Sequence, residues 1–159
     1  MWVTKEVIEK AIATLPAIKF RQEKVFADEK LEIYNDTTAT SPEATIAALE
    51  KFCINNKKVI LIAGGTDREL DFSHWGEQIK KFLTAEDIIL LSGSATEKMK
   101  KALKNWQIEE YDNLEACLAK ALNKSPNLIL FSPGAKSFEK FKNEFDRGEQ
   151  FNVIIKKLL

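Results

Sequence analysis

The sequence predicts an α/β fold: a Rossmann-like, mostly parallel sheet with helices on both faces, preceded by a helix and a β-hairpin. Three observations carry this. Lys58–Ala63, Asp87–Leu91 and Leu128–Phe131 each contain a short continuous apolar run, the pattern of strands buried on both faces. Each run ends in glycine or small polar residues: Gly64-Gly65, Ser92-Gly-Ser94 and Ser132-Pro-Gly134. Helical patterns lie between them, and strand–helix alternation over residues 58–145 implies parallel strands joined by covering helices.

In chain order, Thr4–Leu15 places Val7, Ile8, Ala11, Ile12 and Leu15 at helical spacing, with Thr4 as cap and Pro16 as stop. Lys19–Val25 and Lys30–Tyr34 are strand-like runs around Ala27-Asp-Glu29, a hairpin. Pro42 behind Ser41 opens a helix, Glu43–Ile54, with Ile46, Leu49 and Phe52 on its apolar face. Helices follow over Phe72–Leu83, with Trp75 and Ile79 inward, and over Ala95–Trp106, with Met99, Leu103 and Trp106 on one face. Ile108–Tyr111 reads as an edge strand, and Asn113 caps a helix to Leu122. Ser137-Phe-Glu-Lys-Phe141 reads as a helix start. Phe141–Leu159 is its continuation, interrupted at Gly148, with Phe145, Phe151, Ile154, Ile155 and Leu158 as apolar positions.

The 159 residues suit one domain with a short appendage. Charges balance at 24 against 24, which excludes a general nucleic-acid binder with its basic excess. No apolar run approaches the ~20 residues of a membrane span and no signal-peptide pattern opens the chain, so no membrane partner and a cytoplasmic location are expected. Cys53 and Cys117 lie among apolar helical residues and read as buried thiols rather than a disulfide or metal pair. His74 is the only histidine, which excludes a multi-histidine metal site and leaves it a surface or packing residue. Neither a G-x-G-x-x-G fingerprint nor a G-x-x-x-x-G-K-[ST] loop occurs, so the chain carries no nucleoside-triphosphate P-loop.

In a parallel sheet, ligands sit beyond the carboxyl ends of the strands. Three polar turns are expected there: Asp36–Ser41, Gly64–Arg68 and Ser132–Ser137. A glycine pair after a central strand lets backbone pass close to a ligand. Free N–H groups where a strand turns into a helix favour an anion, and Ser137 adds a hydroxyl. On spacing alone, the plainer reading is a strand-to-helix turn capped by Ser137. Asp36 with Thr37, Thr38 and Thr40 supplies more polar groups than one helix cap needs.

Taken together and in this order, these turns resemble the carboxy-terminal domain of the Mur ligases, and within that family the branch that adds D-glutamate. The matching segments are Phe20-Arg21, Tyr34–Thr40, Gly64–Phe72 and, most specifically, Ser132–Phe151. The resemblance runs from about Val3 onward. It implies that residues 1–18 are the remnant of a central-domain helix and hinge, and that 19–159 form the amino-acid-adding domain. It further implies an ATP-dependent, amide-forming ligase acting on UDP-N-acetylmuramoyl-L-alanine in peptidoglycan precursor synthesis. ATP and Mg2+ would serve the full-length enzyme, with none bound by this domain alone and no activity from it in isolation.

By position, Arg21 matches a nucleotide-contacting arginine and Asp36 an acid that holds the ATP ribose. Thr40 and Ser137 match hydroxyl donors to the D-glutamate carboxylates. Arg68 stands where some members have lysine; it keeps the charge but is longer and planar. Thr38 stands where some members have lysine, which removes one cation, and Phe20 replaces a frequent histidine. Phe145 or the adjacent Glu144 corresponds to a backbone contact with the side-chain carboxylate, although the Phe145 ring by itself reads as a core aromatic. No catalytic acid, base or metal ligand is implied within this domain. Two alternatives stay open: a stand-alone module binding an anionic metabolite at the same turns, and the equivalent domain of a sister ligase taking another amino acid.

Overall fold

A computed structural model describes residues 3–54, 57–104 and 106–159. Its element order is α1 (Lys5–Ala13), β1 (Glu23–Ala27), β2 (Glu32–Asn35), α2 (Pro42–Phe52), β3 (Val59–Gly64), α3 (Ser73–Phe82), β4 (Ile88–Leu91), α4 (Ser94–Leu103), β5 (Glu109–Tyr111), α5 (Leu114–Asn123), β6 (Leu128–Phe131) and α6 (Glu144–Leu158). A turn of 3₁₀ helix, Ala85–Asp87, leads into β4. The sheet order is β1-β2-β6-β3-β4-β5, antiparallel only at the β1–β2 hairpin. This is the mostly parallel α/β fold that the apolar runs predict.

Strand order follows from where each run sits in the chain. From β2 through α2, α3 and α4 the sheet grows in one direction, and right-handed crossovers put these helices on one face. After β5 the chain doubles back through α5 to insert β6 between β2 and β3, so α5 and α6 cover the other face. The direction of growth therefore reverses between β3 and β6, where open α/β sheets bind ligands. Every residue of β3, β4 and β6 is buried, as continuous apolar runs require. Leu61, Leu90 and Leu130 pack with Trp75, Ile79 and Met99 on one face; Ile60, Ile89 and Ile129 pack with Leu118, Phe151 and Ile155 on the other.

Several boundaries differ from the sequence reading. Residues 137–141 make one turn, with the N–H groups of Lys140 and Phe141 donating to the Ser137 carbonyl, and no helix grows from it. The last helix starts at Glu144, where Asn143 Oδ1 accepts the Asp146 N–H at 2.8 Å and Asp146 Oδ2 accepts the Lys142 N–H at 3.0 Å. Ser137 is therefore not a helix cap. Gly148 does not interrupt α6 either. A Cβ there would lie 2.6 Å from Thr37 Cγ2 and 2.8 Å from the Phe20 ring, so glycine is a point of close approach. Phe145 is not a core aromatic: it is 54% exposed. The helix read to Trp106 closes at Leu103, and Asn105 lies outside the described residues. α1 is capped by Thr4 as expected, yet Val7, Ile8, Ile12 and the following Leu15 are all exposed. Cys117 is buried, Cys53 is half-buried and both are free thiols. Burial pushes them up to about 12 and about 11.

Gly148→Ala tests the close approach. Helix propensity alone would stabilise the protein by ~1 kcal/mol. The contact with Thr37 and Phe20 is expected to reverse the sign, lowering the urea unfolding midpoint; a raised midpoint would refute the contact.

Candidate ligand-binding site at the strand tips

The three polar turns leave adjacent strands, β2, β6 and β3, and backbone bonds join them. Gly134 N–H donates to the Ala39 carbonyl at 2.9 Å, linking the β6 turn to the β2 turn. Thr66 and Lys136 form a two-bond bridge of 2.8 and 3.1 Å, linking the β3 turn to the β6 turn. Gly64 N–H donates to the Pro133 carbonyl at 2.9 Å. Gly64 and Gly65 have φ of +111° and +137°, and a Cβ on them would strike the Leu91 and Lys136 carbonyl oxygens. Glycine is needed because neighbouring backbone lies against both faces of this turn.

One residue absent from the sequence reading of the site ties the β2 turn to the β6 turn. Arg147, in the first half of α6, is fully buried. Its Nε donates to Thr37 Oγ1 at 2.9 Å and Nη2 to the Thr37 carbonyl at 2.8 Å. Its Nη1 donates to the carbonyls of Ala135 and Lys136, each at 3.1 Å. Thr37 Oγ1 in turn donates to the Glu144 carbonyl at 3.0 Å. No carboxylate pairs with Arg147 among the described residues, and burial pulls it down to about 9. It stays charged at neutral pH because carbonyl dipoles replace its lost hydration. Its only sequence signal was a cation beside a helical glycine, a pattern that ordinarily marks a solvated face.

Thr40 is half-buried just before α2, and Arg68 is exposed two residues beyond the Thr66 bridge. Ser137 is 2% exposed, one residue beyond Lys136, and its Oγ has no hydrogen-bond partner. A buried hydroxyl without a partner costs ~1–3 kcal/mol. Ser137 lines a crevice too narrow for a water molecule, with Gly65, Thr66, Leu91, Ser92, Glu139, Lys140 and Phe141. The turns carrying Thr40, Arg68 and Ser137 are thus joined on one edge of the molecule. Phe145 stands over Phe20, ring centroids 6.2 Å apart. Glu144 and Phe145 are the first residues of α6, so their N–H groups have no acceptor within the helix.

Arg21 and Asp36 are also neighbours. Phe20 and Gln22, on either side of Arg21, hold left-handed φ of +65° and +47°. Glu23 Oε2 fixes the Phe20 N–H at 2.9 Å, and Asp36 Oδ1 fixes the Gln22 N–H at 3.0 Å. Arg21 projects from this clamped turn and is exposed. Asp36 is only 3% exposed, and its Oδ2 accepts the Ser132 hydroxyl at 2.8 Å. Desolvation raises its carboxyl above the ordinary value, opposed by the bonds from Ser132 and Gln22 and by the charge of Arg21. His74 is exposed on α3, with Nδ1 3.9 Å from Glu77. No group of three His, Cys, Asp or Glu among the described residues suits a metal ion.

Two substitutions check this geometry. Arg147→Met strands the carbonyls of Thr37 and Ala135 and leaves that of Lys136 only its bond from the Thr66 N–H, and a loss of ~3 kcal/mol or more in urea unfolding is expected. For Asp36 the folded carboxyl titrates above the unfolded one, so folding favours its protonated form. Its contribution is largest at acid pH and lost as pH rises through the raised folded value. Asp36→Asn is expected to leave stability at pH 7 unchanged or higher, and to flatten this part of the pH profile. Marked destabilisation at pH 7 would contradict that balance.

No family model matches the chain. Over 154 residues it is 40% identical to a UDP-N-acetylmuramoylalanine–D-glutamate ligase of Treponema pallidum (strain Nichols), covering 94% of this chain and 28% of that protein. The ligase of the same description from Roseiflexus sp. (strain RS-1) is 35% identical, covering 96% of this chain and 33% of that protein. That from Aquifex aeolicus (strain VF5) is 33% identical, covering 94% and 36%. The chain thus spans about a third of the length of these relatives. Among solved structures, MurF ligase from Thermotoga maritima in complex with ADP shares the fold at TM-score 0.59 and 18% identity, over 92% of this chain and 34% of that one. MurC from the same organism does so at TM-score 0.57 and 15% identity, over 89% and 31%. Nearly the whole length aligns with D-glutamate ligases and superposes on Mur ligase folds: the chain belongs to the Mur ligase family, as its C-terminal domain.

Proposed function

We propose that this domain serves an ATP-dependent ligase that joins D-glutamate to UDP-N-acetylmuramoyl-L-alanine, and that its own task is to hold the amino acid. The observation that carries the reading is the Ser137 hydroxyl, buried without a partner one residue beyond the Thr66–Lys136 bridge that joins the β3 and β6 turns. A substrate carboxylate would supply the missing acceptor. Arg68 and Thr40 would hold the other carboxylate, a guanidinium matching it with paired donors. A free N–H at Glu144 or Phe145 would add a backbone contact. So held, the amine can point at the acyl carbon activated by ATP, and the domain contributes orientation rather than acid–base chemistry.

Arg21 would reach the nucleotide phosphates or ribose, and Asp36 the ribose hydroxyls. An ionised carboxylate has about four acceptor positions, and the bonds from Gln22 and Ser132 leave some unused. Mg2+ would be held by other domains of the full-length enzyme, where ATP is bound. The exposed apolar stripe of α1 would pack on such a domain, with residues 1–18 as its remnant and hinge and 19–159 as the moving body. Left-handed φ at Phe20 and Gln22 suits a hinge boundary. The D-glutamate assignment rests on the relatives' names, because the MurF and MurC likenesses are too distant to select an amino acid.

In phosphate-release assays with ATP, D-glutamate and UDP-N-acetylmuramoyl-L-alanine, this chain alone is expected to give no turnover; turnover by it would overturn the reading. In the full-length enzyme, Arg68→Ala is expected to raise KM for D-glutamate ~10-fold with kcat much less affected. An unchanged KM would remove Arg68 from the site.

A further inference from the structure

The Ser137 crevice is closed from within the chain. Its outer wall is Glu139, Lys140 and Phe141, the turn that the sequence reading took for a helix start. Glu139 is an exposed residue, yet both of its carboxylate oxygens are bonded. Oε2 accepts the Ser94 N–H at 3.0 Å, in the first turn of α4, and Oε1 accepts the Ser94 hydroxyl. The Glu139 N–H donates to Thr66 Oγ1 at 2.9 Å. Lys140 Nζ donates to the Asp112 carbonyl at 2.9 Å, pinning the same turn to the end of β5. The strap thus crosses the tips of β3, β4 and β5. A carboxylate at a ten-residue helix N-terminus is favoured by the dipole and by free N–H groups. An unpartnered Ser137 hydroxyl, 2% exposed, lies behind it.

We propose that Glu139 is an internal carboxylate latch: bound to Ser94, it holds the 138–143 strap shut over Ser137, and a carboxylate ligand engages Ser137 only as Glu139 is released. This rests on the reading of Ser137 as a substrate-carboxylate contact. On release the exposed Ser94 N–H and hydroxyl pass from Glu139 to water, while the arriving carboxylate takes the Ser137 hydroxyl. The crevice has no room for water beside the Ser137 hydroxyl, so no solvent molecule satisfies it while the latch is shut. Ligand affinity is then reduced by the fraction of molecules that are unlatched.

The test uses this chain with two variants: E139A removes both bonds to Ser94, whereas S94A removes only the hydroxyl bond, leaves the Ser94 N–H bond in place and also frees the Asp67 N–H that the hydroxyl accepts. Glu139 and Ser94 are both exposed, so neither change opens a core cavity. Without ligand, E139A is expected to speed exchange of the Ser94 amide hydrogen ~10-fold or more. In titrations with D-glutamate followed by amide NMR shifts, E139A is expected to bind ~5-fold more tightly than the parent chain, and S94A, which keeps one latch bond, by a smaller factor. Unchanged Ser94 exchange in E139A, or equal or weaker D-glutamate binding in E139A, overturns the latch. Should D-glutamate shift no resonance at Thr40, Arg68 or Ser137 in any form, the substrate reading fails instead. Ser94 exchange then decides the latch by itself.

Discussion

The site depends on one buried cation. Arg147 has lost its water and gained two threonine oxygens and two further backbone carbonyls, drawn from two different turns. A fixed planar fork can reach all of them at once; a lysine ammonium is a point charge and cannot. The bonds are charge-assisted and sit in a low-dielectric interior, where each is stronger and each loss costlier than at the surface. Phe131 lies 5.9 Å below the guanidinium and stacks on Phe151, so the cation rests on an aromatic floor. Gly65 and Gly148 let backbone and helix approach closely enough for the arrangement to close.

Around this fixed centre, polar groups fall into two sets. Asn35, Asp36, Thr37, Thr45 and Ser132 are buried and bonded to one another or to nearby backbone. They rigidify the turns and consume the hydroxyls that looked surplus in the sequence. Arg21, Arg68 and Phe145 point outward from turns whose neighbours are clamped. Rigid footing with outward tips suits a domain that positions a substrate for chemistry supplied elsewhere. Ser137 belongs to neither set, since it is buried and unbonded.

Likeness to MurF and MurC at below 20% identity reflects the sheet and its crossovers, which apolar pattern and handedness dictate almost independently of the turn residues. The turns are where members of one family can differ in the amino acid held without altering the core. Glu139 illustrates how local that freedom is: a single side chain, bonded to the start of α4, shapes the opening to Ser137.

The chain's periodicity alone determined the fold class, the identity of the buried strands and the three turns at their tips. These follow from local apolar runs and from breakers with no freedom to do otherwise. The quoted segments also carried the family resemblance, because turn residues are read directly from the chain. Tertiary structure decided what depends on groups far apart in sequence. It made Arg147 a keystone rather than a solvated cation, because Thr37 lies 110 residues away. It turned Asp36 inward, because β6 inserts beside β2 and brings Ser132 to it. It exposed Phe145 and moved the start of α6 to Glu144, because a capping pair at Asn143 and Asp146 outcompeted the Ser137 turn. Helical spacing cannot tell which side of a helix another strand's turn will press upon, and that contact assigns each of these residues its role.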